Sequence, residues 1–124
     1  MSDLIDLNIP QFWNSEPKIA LETIRQIEKD FALQGITVEF EFPIENYPEV
    51  IGRIAQRLET LSIVHLPAFP ALAYQIDLNE AELKSALAVS QPDETYHILA
   101  GLILRRCFKK VWWRWKMKSN RKEK

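Results

Sequence analysis

Residues 93–117 read DETYHILAGLILRRCFKKVWWRWKM and form the strongest structural pattern in this chain. The first half of the run is apolar on nearly every side, which predicts a helix that is buried in the protein. In the second half, apolar residues recur at intervals of three and four and form one stripe: Leu104, Cys107, Phe108, Val111, Trp112 and Trp115. Cations occupy the other side, with Trp113 among them: Arg105, Arg106, Lys109, Lys110 and Lys116. The run therefore predicts one long helix whose C-terminal half is basic and rich in tryptophan.

The same helix carries most of the positive charge of the chain. Residues 105–124 hold ten Lys or Arg residues and a single acid, Glu123, which gives a net charge of +9. The first 104 residues hold six basic and sixteen acidic residues, which gives −10. This separation of charge predicts that the basic helix meets an acidic surface, either on this chain or on a partner.

Three more helices are predicted upstream of this helix. The first begins near Ser15–Pro17, where serine caps and proline fits the first turn, and it ends at Gly35. The second and third begin at Asn46 and Asn79, each followed three residues later by a glutamate, which is the spacing of a capping box.

Alternating apolar residues predict strands between these helices. Ile36, Val38, Phe40 and Phe42 share one face of a strand over 36–42. Residues 62–66 and 71–78 predict an antiparallel hairpin around a proline-containing turn, and residues 4–9 alternate as well. We therefore predict an α+β fold in the order α-β-α-β-β-α-α. Its small mixed sheet of three or four strands is covered by helices.

The length of 124 residues predicts a single domain, over residues 1–118, that ends in the long basic helix. Residues 119–124 are expected to be a disordered basic tail. The lone cysteine, Cys107, excludes an internal disulfide and fits a reducing compartment. No signal peptide and no apolar run of about 20 residues is visible, so we predict a cytoplasmic protein.

Residue patterns for catalysis are weak. With three glycines the chain has no phosphate-binding loop, and neither His65 nor His97 has further metal ligands at useful spacing. Cys107 belongs to the apolar stripe, where a thiol behaves as a small hydrophobic group. We predict no cofactor and no metal. An enzymatic alternative places a site around His65, Tyr74 and Asp77 on the predicted hairpin, and it rests on residue types alone.

The C-terminal helix supplies the candidate interaction residues. Four apolar side chains are predicted to make the contact: Phe108, Val111, Trp112 and Trp115. Four cations are predicted to orient it: Lys109, Lys110, Arg114 and Lys116. The chain is thus predicted to be a non-enzymatic interaction protein. The contacted surface is its own body, a second copy in a homodimer, or an acidic, apolar groove on a partner protein.

Two other partners fit the same helix. Tryptophan favours the membrane interface, and each nearby Lys or Arg contributes about 1 kcal/mol on an anionic bilayer. Single-stranded nucleic acid would offer phosphates to the cations and bases to the indole rings. The acidic body would repel that polymer, since nucleic-acid-binding domains are usually basic as a whole. No small-molecule ligand is evident.

Overall fold

The computed structural model describes residues 4–40, 46–89 and 91–122, and this part of the chain is all-helical. Its six α-helices are α1 (Leu4–Ser15), α2 (Pro17–Leu33), α3 (Tyr47–Thr60), α4 (Phe69–Ile76), α5 (Glu80–Leu87) and α6 (Pro92–Lys122). A single 3-10 turn, Ile63–His65, precedes α4. None of the described helices combines the length and the apolar composition that crossing a bilayer requires.

Helix α6 is the element on which the others pack. It makes its most extensive contacts with α3 and α2, and it also touches α1, α4 and α5. Its most deeply buried residues recur every three or four positions: Leu99, Ala100, Ile103, Leu104, Cys107, Phe108 and Val111. The helix continues past 117 to Lys122, so residues 119–122 of the expected tail are helical. Glu123 and Lys124 lie outside the described residues.

The predicted sheet is wrong, because no strand occurs within residues 4–40, 46–89 or 91–122. In the predicted strand over 36–42, residues 36–40 have no regular secondary structure, and residues 41 and 42 lie outside the described ranges. The alternation does correspond to burial, since Ile36, Val38 and Phe40 are all buried. These side chains enter the helical core, and the Phe40 N–H donates to Glu28 Oε2 on α2 at 2.9 Å. The Glu28 carboxylate thus takes the place of the backbone carbonyl that a neighbouring strand would have offered to this N–H.

The predicted hairpin is helical instead. Within α4, Leu72 and Ile76 are buried while Tyr74, halfway between them, is 89% exposed, which is the pattern of a helix. Pro70 stands in the first turn of α4, where its missing N–H costs nothing. In the predicted strand over 62–66, residues 63–65 form the 3-10 turn.

The predicted N-terminal strand over 4–9 is also wrong, since these residues begin α1. Ile9 and Trp13 lie four residues apart on this helix and are both buried. The Trp13 ring meets Tyr47 of α3 edge-on, with 5.7 Å between the ring centroids. Helix α1 therefore joins the same core as α3 and α6.

The predicted caps of α3 and α5 are confirmed. Asn46 Oδ1 accepts from the Glu49 N–H at 3.1 Å, and Asn79 Oδ1 accepts from the Glu82 N–H at 2.9 Å. Gly35 takes a left-handed conformation after α2, with φ of 74°. Ser15 does not cap α2; it ends α1, and α2 begins after Glu16.

Candidate interaction surface on the last helix

The apolar stripe of α6 contacts the protein's own body. Phe108 and Val111 are fully buried, and the Phe108 ring lies 6.2 Å from that of Trp13. Trp112 is partly buried and stacks on Phe12 of α1, with 4.5 Å between centroids. Burial of such aromatic surface is the main favourable contribution to packing a helix.

A buried ion pair fixes the position of α6 against α2. Lys110 Nζ lies 3.1 Å from Asp30 Oδ2, and the Asp30 side chain is 2% exposed. Gln26 Nε2 donates to the other carboxylate oxygen at 2.9 Å. Because the carboxylate is hydrogen-bonded at both oxygens, its burial is tolerated. Of the surfaces that Lys110 was predicted to meet, the structure thus places this residue against the chain's own body.

The Cys107 thiol belongs to the same buried cluster. Its S–H donates to Asp30 Oδ2 at 3.8 Å, and the side chain is fully buried. Burial raises the pKa of the Cys107 thiol to about 12, and the positive charge of Lys110 offsets only part of that effect. A thiol that keeps its proton at neutral pH is a poor nucleophile, so the arrangement does not suit Cys107 to covalent chemistry.

Two more cations of α6 pair with acids of α4–α5. Arg105 Nη2 lies 2.8 Å from Glu82 Oε2, and Arg106 Nη2 lies 2.9 Å from Asp77 Oδ2. All four side chains are substantially exposed, and such pairs contribute about 0–1 kcal/mol each. These two pairs therefore affect the orientation of α6 more than the free energy of unfolding.

Near its C-terminal end α6 contacts the first half of α2. Arg114 Nη2 lies 3.3 Å from Glu22 Oε2, and Trp115 Nε1 donates to Glu22 Oε1 at 3.0 Å. One carboxylate therefore holds two of the predicted interaction residues. Their outer surfaces remain exposed.

Beyond Trp112 every side chain of α6 that the structure describes is exposed, and residues 113–118 are here called the exposed segment. Trp113 is 57% exposed and Met117 is 56% exposed. Because they lie four residues apart, they are neighbours on the helix surface. The Lys116 ammonium lies 5.8 Å from the centre of the Trp112 ring, a cation–π distance. The segment thus presents apolar surface bordered by positive charge.

A second apolar surface lies between α4 and α5 and is here called the α4–α5 groove. It encloses an open volume of about 490 Å³, and its apolar lining includes Phe69, Ala73, Tyr74, Leu83 and Leu87. The acidic residues Asp77 and Glu80 also line the groove, and their side chains are exposed, so they are here called its rim. The groove is therefore apolar at its centre and acidic at its edge.

The proposed catalytic cluster is not assembled as predicted. His65 is exposed in the 3-10 turn, Tyr74 points into solvent, and Asp77 pairs with Arg106. The hairpin that was to bring the three together does not exist. Among the described residues, no group of three or more His, Cys, Asp or Glu side chains could hold a metal ion.

The acidic partners of the basic helix were missed by sequence reasoning. For Asp30 a sequence pattern was available. It lies three residues after Ile27 and directly before Phe31, so it falls within the apolar face of α2, where an acid needs a cation. Comparisons of the chain with protein-family models, curated proteins and solved structures found no match.

Proposed function

We propose that this chain is a non-enzymatic interaction protein that binds a protein partner through the exposed segment of α6. One observation carries the proposal: α6 changes its surroundings at Trp112. Up to Val111 its apolar stripe is buried in the chain's own core, whereas Trp113 and Met117 remain largely in solvent. Within the exposed segment, Arg114 and Trp115 still bond to Glu22 of α2, whereas Trp113 and Met117 are the two most exposed large apolar side chains of α6.

The composition of this segment is that of an interface. Tryptophan, methionine and arginine are enriched at the centres of protein–protein contacts, and tryptophan is among the commonest residues whose truncation costs most binding energy. An exposed tryptophan beside an exposed methionine forms an apolar patch, and such patches often mark a binding surface. Lys116 and Lys118 border the patch formed by Trp113 and Met117.

The charge of the segment indicates what the partner presents. Residues 95–122 contain no Asp or Glu, so this end of α6 is uniformly positive. A partner surface with an apolar centre and carboxylates around it would match both properties. Complementary potentials of this kind speed association and set orientation. We also propose that the protein acts in the cytoplasm, because its one cysteine fits a reducing compartment.

The proposal is tested with an environment-sensitive fluorophore on a Lys118→Cys variant. Labelling is selective because Cys107 is buried and its pKa is raised to about 12. Four additions are compared: the unlabelled chain, anionic phospholipid vesicles, a single-stranded oligonucleotide, and total protein from the source cells. We expect a blue shift with a protein addition, and we expect Trp113→Ser to abolish it. If none of the four changes the emission, the proposed function is wrong.

A second candidate function is attachment to an anionic membrane surface. It is favoured by the exposure of Trp113 and Met117 on a helix end that has no acid, because indole rings and cations are the two features that interfacial helices use. A shift with vesicles containing anionic lipid, but with neither protein addition, would establish it in place of a protein partner.

A further inference from the structure

Resting on the proposed function, we infer that the partner is a second copy of this chain. The exposed segment of each copy docks on the α4–α5 groove of the other. One molecule carries both of these apolar surfaces, and they differ in the sign of the charge around them.

The α4–α5 groove has the properties of a receiving site. Tyr74 is 89% exposed and Leu87 is 44% exposed, while Phe69 and Ala73 are buried beneath them. The volume of about 490 Å³ lies within the roughly 300–1,000 Å³ of pockets that hold organic groups. The chain's own packing leaves Tyr74 almost wholly in solvent, and a docked helix would cover it.

The charges of the two surfaces are complementary. Glu80 lies at the rim of the groove, and so does Asp77, which bonds to Arg106 of its own chain but keeps 76% of its side chain exposed. Lys116 and Lys118 border the apolar side chains of the exposed segment. An apolar centre with opposite charges at the edge is the arrangement that makes a contact specific. The same complementarity disfavours a groove–groove or a segment–segment contact, because like charges would then face each other.

The positions of the two surfaces permit a closed pair. Residues 106, 113 and 117 lie on one side of α6, because they are spaced by seven and four residues. Arg106 bonds to Asp77 at the rim of the groove, so the groove adjoins the side of α6 on which Trp113 and Met117 lie. Seven residues of helix separate the rim contact from Trp113, about 10 Å along the axis.

This neighbourhood defines the symmetry of the pair. A two-fold axis that passes between groove and segment places each segment over the other copy's groove at the same time. Both contacts form together, and neither the exposed segment nor the α4–α5 groove of either copy stays unoccupied. The assembly therefore closes as a dimer and does not grow into a chain.

Light scattering of the full chain over a range of concentrations tests the inference. We expect a monomer–dimer equilibrium that salt weakens, since screening reduces attraction between exposed charges. Lys116→Glu and Glu80→Lys should each weaken dimerisation at least tenfold, because each places like charges face to face. The double variant, which exchanges the two charges, should recover most of the loss. Arg57→Glu, an exposed cation of α3 in neither surface, is the matched control.

Trp113→Ser and Leu87→Asp test the apolar contact, and each should leave a monomer with an unchanged helical circular dichroism spectrum. A full chain that stays monomeric at every concentration overturns the inference, as does a double variant that fails to recover. These results leave the proposed function to be judged separately. An unsubstituted chain that stays monomeric in light scattering, while the labelled Lys118→Cys chain responds to another protein addition, would refute the second copy alone.

Discussion

Lys110 of α6 and Asp30 of α2 form an ion pair inside the protein, with 3.1 Å between Nζ and Oδ2. Lys110 Nζ also lies 3.5 Å from the carbonyl oxygen of Gln75 near the end of α4. One ammonium group therefore joins three helices. Since hydrophobic packing has little directional preference, such a pair can fix the rotation and the height of α6 on the body.

Replacing Lys110 with methionine should destabilise the protein by about 3–5 kcal/mol. The substitution keeps the length of the side chain but leaves the buried Asp30 carboxylate without its cation, which is the costly way to break a buried pair. Urea unfolding followed by circular dichroism measures the change.

The matched comparison is the double variant Asp30→Leu/Lys110→Met, which removes both charges. It should be more stable than Lys110→Met alone, because no unpaired charge is buried. A loss below about 1 kcal/mol in the single variant would mean that the pair is solvated and does not fix the helix.

Helices with local start and stop residues could be predicted from the sequence. Asn46 and Asn79 act through hydrogen bonds to residues three positions away, so their effect is visible in a short window. Gly35 likewise ends its helix by its own conformational freedom. The long basic helix was predictable because its spacing repeats over many turns.

The strands were mispredicted because a short apolar alternation fits two structures. Leu72 and Ile76 are four residues apart. That separation is two periods of a strand and about one turn of a helix, so the two side chains share a face in either structure. The exposure of Tyr74 and the burial of Ala73 separate the two possibilities, and neither could be known beforehand. The alternation of Ile36, Val38 and Phe40 predicted burial correctly, but it did not show what would cover them.

For the candidate surface, the sequence predicts which kinds of side chain α6 carries, but not which of them stay exposed. The sequence separates apolar from basic positions on α6, yet it does not show at which residue α6 stops packing against the other helices. That boundary depends on α1 and α2, whose residues Phe12 and Glu22 contact Trp112, Arg114 and Trp115 from far along the chain. Tertiary contacts thus decide which tryptophan is structural and which is available.

Trp112 and Trp113 provide a matched pair for this boundary. Trp112→Ala should cost about 2 kcal/mol of stability, because the ring stacks on Phe12 and lies 6.2 Å from the Phe108 ring. Trp113→Ala should change stability by less than about 0.5 kcal/mol, because most of that side chain is in solvent. Urea unfolding at low micromolar concentration, where association is weakest, compares them. Equal losses would contradict the division of α6 at Trp112.

The cap of α3 gives a prediction that is independent of α6. Asn46→Ala should destabilise the protein by about 1 kcal/mol, because the Glu49 N–H loses its acceptor. Asn46→Asp keeps an acceptor at the helix start and should retain most of the stability. Asn14→Ala, an exposed change on α1, is the control for removing an amide. Similar losses in Asn46→Ala and Asn14→Ala would show that the cap contributes nothing.

Cys107 gives a prediction about pH. Burial raises the pKa of the thiol from 9.0 to about 12 in the folded protein, so above pH 9 the unfolded chain loses this proton first. The folded state is therefore favoured fully below pH 9, and the advantage is lost as pH rises toward 12. Near pH 10.5 the loss should reach about 2 kcal/mol.

The Cys107→Ala variant isolates this effect, because the other titrating groups are common to both proteins. Its stability relative to the wild type should improve by about 2 kcal/mol between pH 7.5 and pH 10.5, as measured by urea unfolding at each pH. A thiol-specific disulfide reagent gives a second readout. At pH 8 the folded chain should react at least a hundredfold more slowly than the urea-unfolded chain, because both access and ionisation are suppressed. A native thiol that reacts as fast as Lys118→Cys would show that α6 does not bury Cys107 in solution.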